Sequence, residues 1–289
     1  MSTGIPLGVV EYLDLARNSD VADKRRRAFA GALAADAIGY RRIWVPEHHG
    51  PGSPSTNTLP LISVLGSHTS RARIGAAVTL LRIRDATLTA EDLATAAAFC
   101  GSRLDVGIGR GASADFLPHL AKDDVQLEAA IRELITTLDG GSTRADGLAE
   151  PYQLWMHGAG GSSAGVAAAV GANYCHGLFL NPDIDTCLRA LEKFRAGSSG
   201  GIAAVAVAMA ANGDPQQAAV DAQRQPYSVT SGTAEECADT LRNLQYLTGA
   251  DELILIEASA SSDDHLRALR DIYHLVSATP MPTEGGARR

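Results

Sequence analysis

Gly201-Ile202-Ala203-Ala204-Val205-Ala206-Val207-Ala208-Met209-Ala210-Ala211 has no polar side chain at any position. A strand with one face in water alternates apolar and polar residues, so a run that is apolar on both faces belongs to a strand covered on both sides. It is also far shorter than the roughly 20 residues a membrane-crossing helix needs. The stretch reads as a buried strand of a parallel sheet, with helices on one side and a packed interior on the other. Comparable β-type runs occupy residues 5–12, 42–47, 73–81, 104–108, 153–157 and 174–180 before it and 252–257 after it. Each of the eight is followed by helical spacing, near residues 20–38, 57–69, 88–99, 122–138, 162–171, 183–196, 233–248 and 263–276.

Local signals give these elements a mechanism. Thr89-Ala90-Glu91-Asp92 and Thr233-Ala234-Glu235-Glu236 each place acids in a first turn behind a Thr cap. Asn181-Pro182-Asp183 opens the sixth helix, and Gly39, Gly171 and Gly249 stand where helices should end. Strand-then-helix units in series predict a parallel sheet, and eight is the number that closes a (β/α) barrel. The expectation is an α/β chain with a single (β/α)8 TIM barrel over residues 1–278. An open doubly wound sheet is the alternative, for which the count is less natural. Residues 139–151 read as a loop, 212–230 as an irregular stretch with a helical turn near 216–222, and 279–289 as a frayed tail.

With 45% hydrophobic and 20% charged residues, 29 Gly and 12 Pro among 289, the chain is ordinary globular material. Lys+Arg 25 against Asp+Glu 33 gives a net charge of −8, which argues against nucleic acid and anionic membranes as partners. Cys100, Cys175, Cys187 and Cys237 form no CxxC pair and read as reduced, buried thiols. Residues 1–17 lack the pattern of a signal peptide. A soluble, cytoplasmic protein is expected.

In such a barrel the chemistry sits on the loops after the strands' C-terminal ends. Three places qualify. The first is Pro46-Glu47-His48-His49-Gly50, where two imidazoles beside a carboxylate suit proton transfer near neutral pH or a loop cap. Neighbouring residues of an extended chain face opposite ways, so Glu47 and His49 share a side and His48 takes the other. With no HxH or HExxH pattern nearby, no metal is expected. The second is Gly107-Ile108-Gly109-Arg110-Gly111, where small residues admit a flat or phosphorylated ligand and Arg110 offers a guanidinium fork. A glycine-eased turn with a surface Arg reads equally well there. The third is His157-Gly158-Ala159-Gly160-Gly161-Ser162-Ser163, a helix start whose free N–H groups suit a phosphate, with Ser162 doubling as an N-cap. Arg82, Arg84, Asp115 and His119 lie on loops expected to border the same face.

These places in this order resemble the bacterial luciferase-like monooxygenase family. The similarity runs through residues 34–49, 72–81, 90–92 and 103–111, then the Gly-Ser stretch, and more loosely through 233–257. The resemblance implies a barrel that binds reduced FMN, or in related branches a deazaflavin coenzyme. It implies that His48 is the active-site histidine supporting reaction of the flavin with oxygen. It implies that Arg110 and the backbone of Gly158, Gly160, Gly161, Ser162 and Ser163 hold the flavin phosphate. It also implies a non-prolyl cis peptide at Ala77-Val78 beneath the flavin ring. A bacterial oxidoreductase acting on a small organic substrate, supplied by a flavin reductase and assembled as a homodimer through the second and third helices, is the expectation. A hydride-transferring deazaflavin enzyme and a non-catalytic flavin-binding relative are the alternatives. The chain departs from the family at Gly109, where bacterial luciferase carries a cysteine. It departs again between Gly111 and Pro151, where a long family insertion is cut short.

Overall fold

The structure, a computed structural model, describes residues 4–11, 20–109, 122–141 and 147–278. The expected tail at 279–289, together with Arg110, Asp115 and His119, lies outside the described residues. Strand β1 (Leu7–Val10) is followed by α1 (Val21–Ile38), β2 (Arg42–Val45), α2 (Thr58–His68), β3 (Arg73–Ala76) and α3 (Ala86–Cys100). Next come β4 (Leu104–Gly109), α4 (Asp124–Leu138), β5 (Gln153–Gly158), α5 (Gly161–Ala169), β6 (Asn173–Gly177) and α6 (Ile184–Gly197). The series ends with β7 (Ala203–Ala211), α7 (Pro215–Gln223), β8 (Val229–Gly232), α8 (Ala234–Thr248), β9 (Glu252–Glu257) and α9 (Ser262–Ala278). All strand pairs are parallel. They run in order from β1 to β7, and β9 joins β7 back to β1, closing an eight-stranded barrel.

Helix α7 and strand β8 correct the reading of residues 212–230 as irregular. Asp214 caps α7 by accepting from the Gln216 N–H, and Pro215 opens its first turn. Strand β8 pairs only with the C-terminal half of β7, from Ala208↔Val229 to Ala211↔Gly232. Four residues with two exposed carry too little alternation to read as a strand. Helix α3 also begins earlier than expected. Asp85, not Thr89, is its cap, and Thr89 is buried inside the helix. Thr233 does cap α8, in a reciprocal box with Glu236.

Strand alternation sorts the core into two clusters. Leu7, Val9, Ile43, Val45, Ile74, Leu104, Val106, Ile108, Leu253 and Leu255 face the helices. Val10, Trp44, Trp155, Cys175, Ala204, Ala206, Ala208, Ile254 and Ile256 fill the interior. Burying each large side chain of this kind stabilises the fold by about 1.5–3 kcal/mol. The N-terminal end of the barrel is closed by Arg42, wholly buried, which donates to Asp105, to both oxygens of Glu252 (2.7 and 2.9 Å) and over the Trp155 ring at 4.4 Å. Toward the C-terminal end the inward positions shrink to Gly107, Gly109, Gly177, Ala208 and Ala210, which leaves the mouth uncrowded. The four cysteines are free and buried, and no described helix is long and apolar enough to cross a membrane.

Helix α9 is locked to the barrel by His265, whose Nδ1 lies 2.6 Å from Glu257 and Nε2 3.0 Å from Glu11. Burial pulls the imidazole toward the neutral form, but the two carboxylates hold its pKa well above the ordinary 6.5. A proton held in the folded state but shed from the unfolded chain stabilises fully below about 6.5, and that contribution is lost as pH rises through the folded value. Stability should therefore fall by up to about 1.4 kcal/mol per pH unit above that point. Urea midpoints measured across pH should show this limb in the wild type and a flatter one in His265→Gln.

Candidate active site

The loop after β2 carries Glu47, whose buried carboxylate organises one side of the mouth. It accepts from His49 Nε2 (2.7 Å), from Arg84 Nε (2.9 and 3.0 Å) and from the Leu80 N–H (3.2 Å). Glu47 and His49 do share a side, as alternation along an extended chain requires. His48 faces the other way and is exposed. Its backbone is fixed: its N–H donates to Ser55 O (3.1 Å) and its carbonyl accepts from Ser53 Oγ (2.6 Å). Arg84 also donates to Asn57 (3.0 Å), so the exits of β2 and β3 and the start of α2 form one clamp. Arg82 serves a different contact, donating to Lys122 O (2.5 Å) and Asp124 (2.7 Å). Glu47→Gln removes the charge that pairs with Arg84, a bond worth about 1.5–3 kcal/mol. The Leu80 amide should then exchange hydrogen at least about tenfold faster.

Leu80 follows the Ala77–Val78 peptide, which is cis and non-prolyl. The β4 glycines explain what stands beside it. A Cβ on Gly107 would lie 1.7 Å from Ala76 O, and one on Gly109 would lie 3.0 Å from Val78 Cγ1. Both glycines thus admit the protein's own β3 segment, not a ligand, against the β4 wall. That corrects the reading of Gly107 and Gly109 as direct ligand approaches.

The glycine turn after β5 completes the mouth. Gly160, not Ser162, is the N-cap of α5, and it makes no side-chain cap bond. Ser162 lies within the helix, and Ser163 packs onto Gly158, where a Cβ would lie 2.3 Å from Ser163 Oγ. The carbonyls of this turn point away from the helix start. Tyr174 Oη donates toward Gly158 O (3.4 Å) and Gly160 O (3.3 Å), and Asn181 Nδ2 donates to Ala159 O (3.4 Å). Burial pushes the Tyr174 phenol up, so it stays a donor, and its neighbour His176 is lowered to about 4 by burial. With the carbonyls turned back, the α5 N-terminus presents N–H groups and the positive end of its dipole. Nothing lies within 4 Å of a Cβ built on Gly160, so an oxyanion has room there. These groups fit a phosphate-bearing planar cofactor. Among the described residues no three His, Cys, Asp or Glu side chains group as ligands for an ion.

A family model of luciferase-like monooxygenases matches residues 10–275. The chain belongs to the luciferase-like monooxygenase family. A luciferase-like monooxygenase of Escherichia coli (strain K12) is 27% identical over 199 residues, covering 63% of this chain and 58% of its own. The chain thus matches little more than half the length of that curated relative. Among solved structures, apo-MsnO8 superposes with a TM-score of 0.83 at 23% identity, over 96% of this chain and 99% of its own. The oxygenating constituent of 3,6-diketocamphane monooxygenase from Pseudomonas putida, in complex with FMN, gives 0.73 at 13% identity over 95% and 98%. An F420-dependent secondary alcohol dehydrogenase, in complex with an F420-acetone adduct, gives 0.78 at 13% over 94% and 99%. At these identities the structural likeness shows the fold, a TIM barrel.

In this luciferase-like barrel the sequence-predicted residues fall into two connected groups. Val78, joined to Ala77 by the cis peptide, meets Gly109, and Gly109 pairs in register with His157, which leads into Gly158, Gly160, Gly161, Ser162 and Ser163. His48 stands on the β2 exit, joined to the β3 exit through Glu47. Arg110 follows Gly109 directly but is outside the described residues. Sequence reasoning passed over the Glu47–Arg84 clamp and the Tyr174–Asn181 support. Glu47 lies 37 residues from Arg84, a pairing that no local pattern announces.

Proposed function

We propose that this protein is a monooxygenase that uses reduced FMN and dioxygen to oxidise a small organic substrate. The observation that carries the reading is the convergence at one barrel end of three features. These are the cis Ala77–Val78 peptide, the Glu47-anchored loop bearing His48, and the glycine turn at the α5 N-terminus. Reduced FMN, when bound, supplies the two electrons with which dioxygen is split between product and water. The chain's own residues do the rest. Ala77 and Val78 line the face on which the ring rests. Gly158, Gly160, Gly161, Ser162 and Ser163 take the phosphate together with Arg110. His48, fixed through its backbone, exchanges a proton at an imidazole nitrogen beside the reacting centre. The oxygenating constituent of 3,6-diketocamphane monooxygenase, in complex with FMN, shares this fold and supports the choice of cofactor.

A second reading, hydride transfer by a deazaflavin coenzyme without oxygen, is raised by the F420-dependent secondary alcohol dehydrogenase, which shares this fold. Titration of the protein with reduced FMN and with the deazaflavin, monitored by fluorescence alongside oxygen uptake, separates them. Tighter binding of FMN with substrate-dependent oxygen uptake is expected. Preference for the deazaflavin without oxygen uptake overturns the monooxygenase assignment.

The reading brings partners with it. Reduced flavin is supplied, in this reading, by a separate flavin reductase. Val64 on α2 and Leu88 and Phe99 on α3 are 44%, 61% and 50% exposed, an apolar face that suits a homodimer, and sedimentation equilibrium should give twice the chain mass. Four free buried thiols and a net charge of −8 suit a bacterial cytoplasm without nucleic-acid or membrane partners.

A further inference from the structure

His157 ends the inward row of β5, in register with Gly109 on one side and Cys175 on the other. Its ring stands edge-on to Trp44, with centroids 4.6 Å apart at 74°, and 6.4 Å from the Trp155 ring. Gly107 makes the space it occupies, since a Cβ there would lie 3.2 Å from His157 Nε2. Nε2 is shut off from solvent and has no hydrogen-bond partner among the described residues. The residue as a whole is only half-buried, because it reaches the mouth.

Of the buried histidines, His176 shares this feature, since its Nε2 also has no partner among the described residues. His265 is held at both nitrogens by carboxylates, and His176 Nδ1 pairs with the Tyr174 hydroxyl on the helix side of the sheet. An imidazole with no partner among aromatic rings is a net cost that a leucine would not incur. What separates His157 from His176 is its place at the mouth, half-exposed although Nε2 is sealed, so the nitrogen left for a ligand is Nδ1. Burial, reinforced by the Arg42 charge below, lowers its pKa to about 3, so the ring is neutral throughout the working pH range. A neutral imidazole carries one proton. On the sealed Nε2 that proton would be a wasted donor, so it belongs on Nδ1.

We propose that His157 is a ligand-positioning residue, donating from Nδ1 to an acceptor on the edge of a flavin-type ring seated in the mouth. This rests on the reading of the mouth as a flavin site. A neutral donor suits a ring edge of carbonyl oxygens and ring nitrogens, whereas the glycine turn takes the charged phosphate. The ring is thereby oriented at two separate points.

The test uses the full chain with FMN and with the deazaflavin as probes. His157→Leu should fold with stability equal to or above wild type and bind the preferred flavin about five- to tenfold more weakly. His157→Gln, which keeps an N–H donor, should stay within about twofold of wild type. In wild-type protein carrying 15N-histidine, the His157 Nδ1 signal should report a single neutral tautomer and shift on saturation with flavin. Unchanged affinity in His157→Leu, or His157 nitrogen signals that do not move on saturation, overturns the proposal while leaving the flavin site standing. If wild type binds neither flavin, the reading of the site falls and this proposal falls with it.

Discussion

His48→Ala should lower substrate-dependent oxygen uptake about a hundredfold or more and leave flavin affinity within about twofold. The asymmetry follows from how the residue is held. The His48 N–H and carbonyl are bonded to Ser55 and Ser53, and Glu47 next to it is anchored by Arg84 and Leu80. Truncating the side chain therefore leaves the loop in place and removes only the imidazole. A positioned imidazole contributes about 10²–10⁴ to a step that moves a proton near neutral pH. In the proposed seating the ring would lie on β3 and the phosphate on the α5 turn, neither of which the substitution reaches. Steady-state oxygen uptake and flavin titration on the same preparation check both halves. An unchanged rate removes His48 from the chemistry.

Arg42→Met should cost about 3–5 kcal/mol of folding stability, the largest single effect expected in the interior. Arg42 is wholly buried and faces two carboxylates that are themselves buried, Asp105 and Glu252. Asp105 also accepts from Trp44 Nε1 (2.9 Å) and Arg73 (2.6 Å), and Glu252 from Arg41 (2.9 Å). Without Arg42, Asp105 keeps Trp44 and Arg73 and Glu252 keeps Arg41, and negative charge is left under-compensated in an apolar interior. Breaking one side of such a pair costs more than replacing the whole set with apolar or neutral groups. The triple variant Arg42→Met, Asp105→Asn, Glu252→Gln should accordingly recover most of the loss. Urea midpoints decide it, and a single variant within about 1 kcal/mol of wild type would show the charges are better solvated than their burial indicates.

The barrel was legible because its signals are local and repeated. A run such as residues 203–211 with no polar side chain admits few alternatives, and capping residues such as Thr233 lie within one turn of what they cap. Strand β8 escaped because it pairs along one edge and leaves Thr230 and Ser231 in water, so its composition resembles a loop. Ser162 reads as a cap because a hydroxyl at a helix start is the usual device, whereas here Gly160 fills that place and makes no side-chain cap bond. In the site, Glu47 and His49 were placed on one side by alternation alone. What they hold, Arg84 and Leu80, was not legible, since it depends on neighbouring strands sharing an end of the barrel. Arg42 reads as an ordinary charged strand start, and only closure of the barrel turns it into a buried hub.

A crystal structure of the complex with FMN decides whether one mouth gathers these groups around one flavin. The ring should lie against Ala77 and Val78, the phosphate at the α5 N-terminus beside Gly160 and Gly161, and His48 and His157 should both reach the ring. FMN seated on another surface, or with its phosphate remote from the glycine turn, would contradict this arrangement.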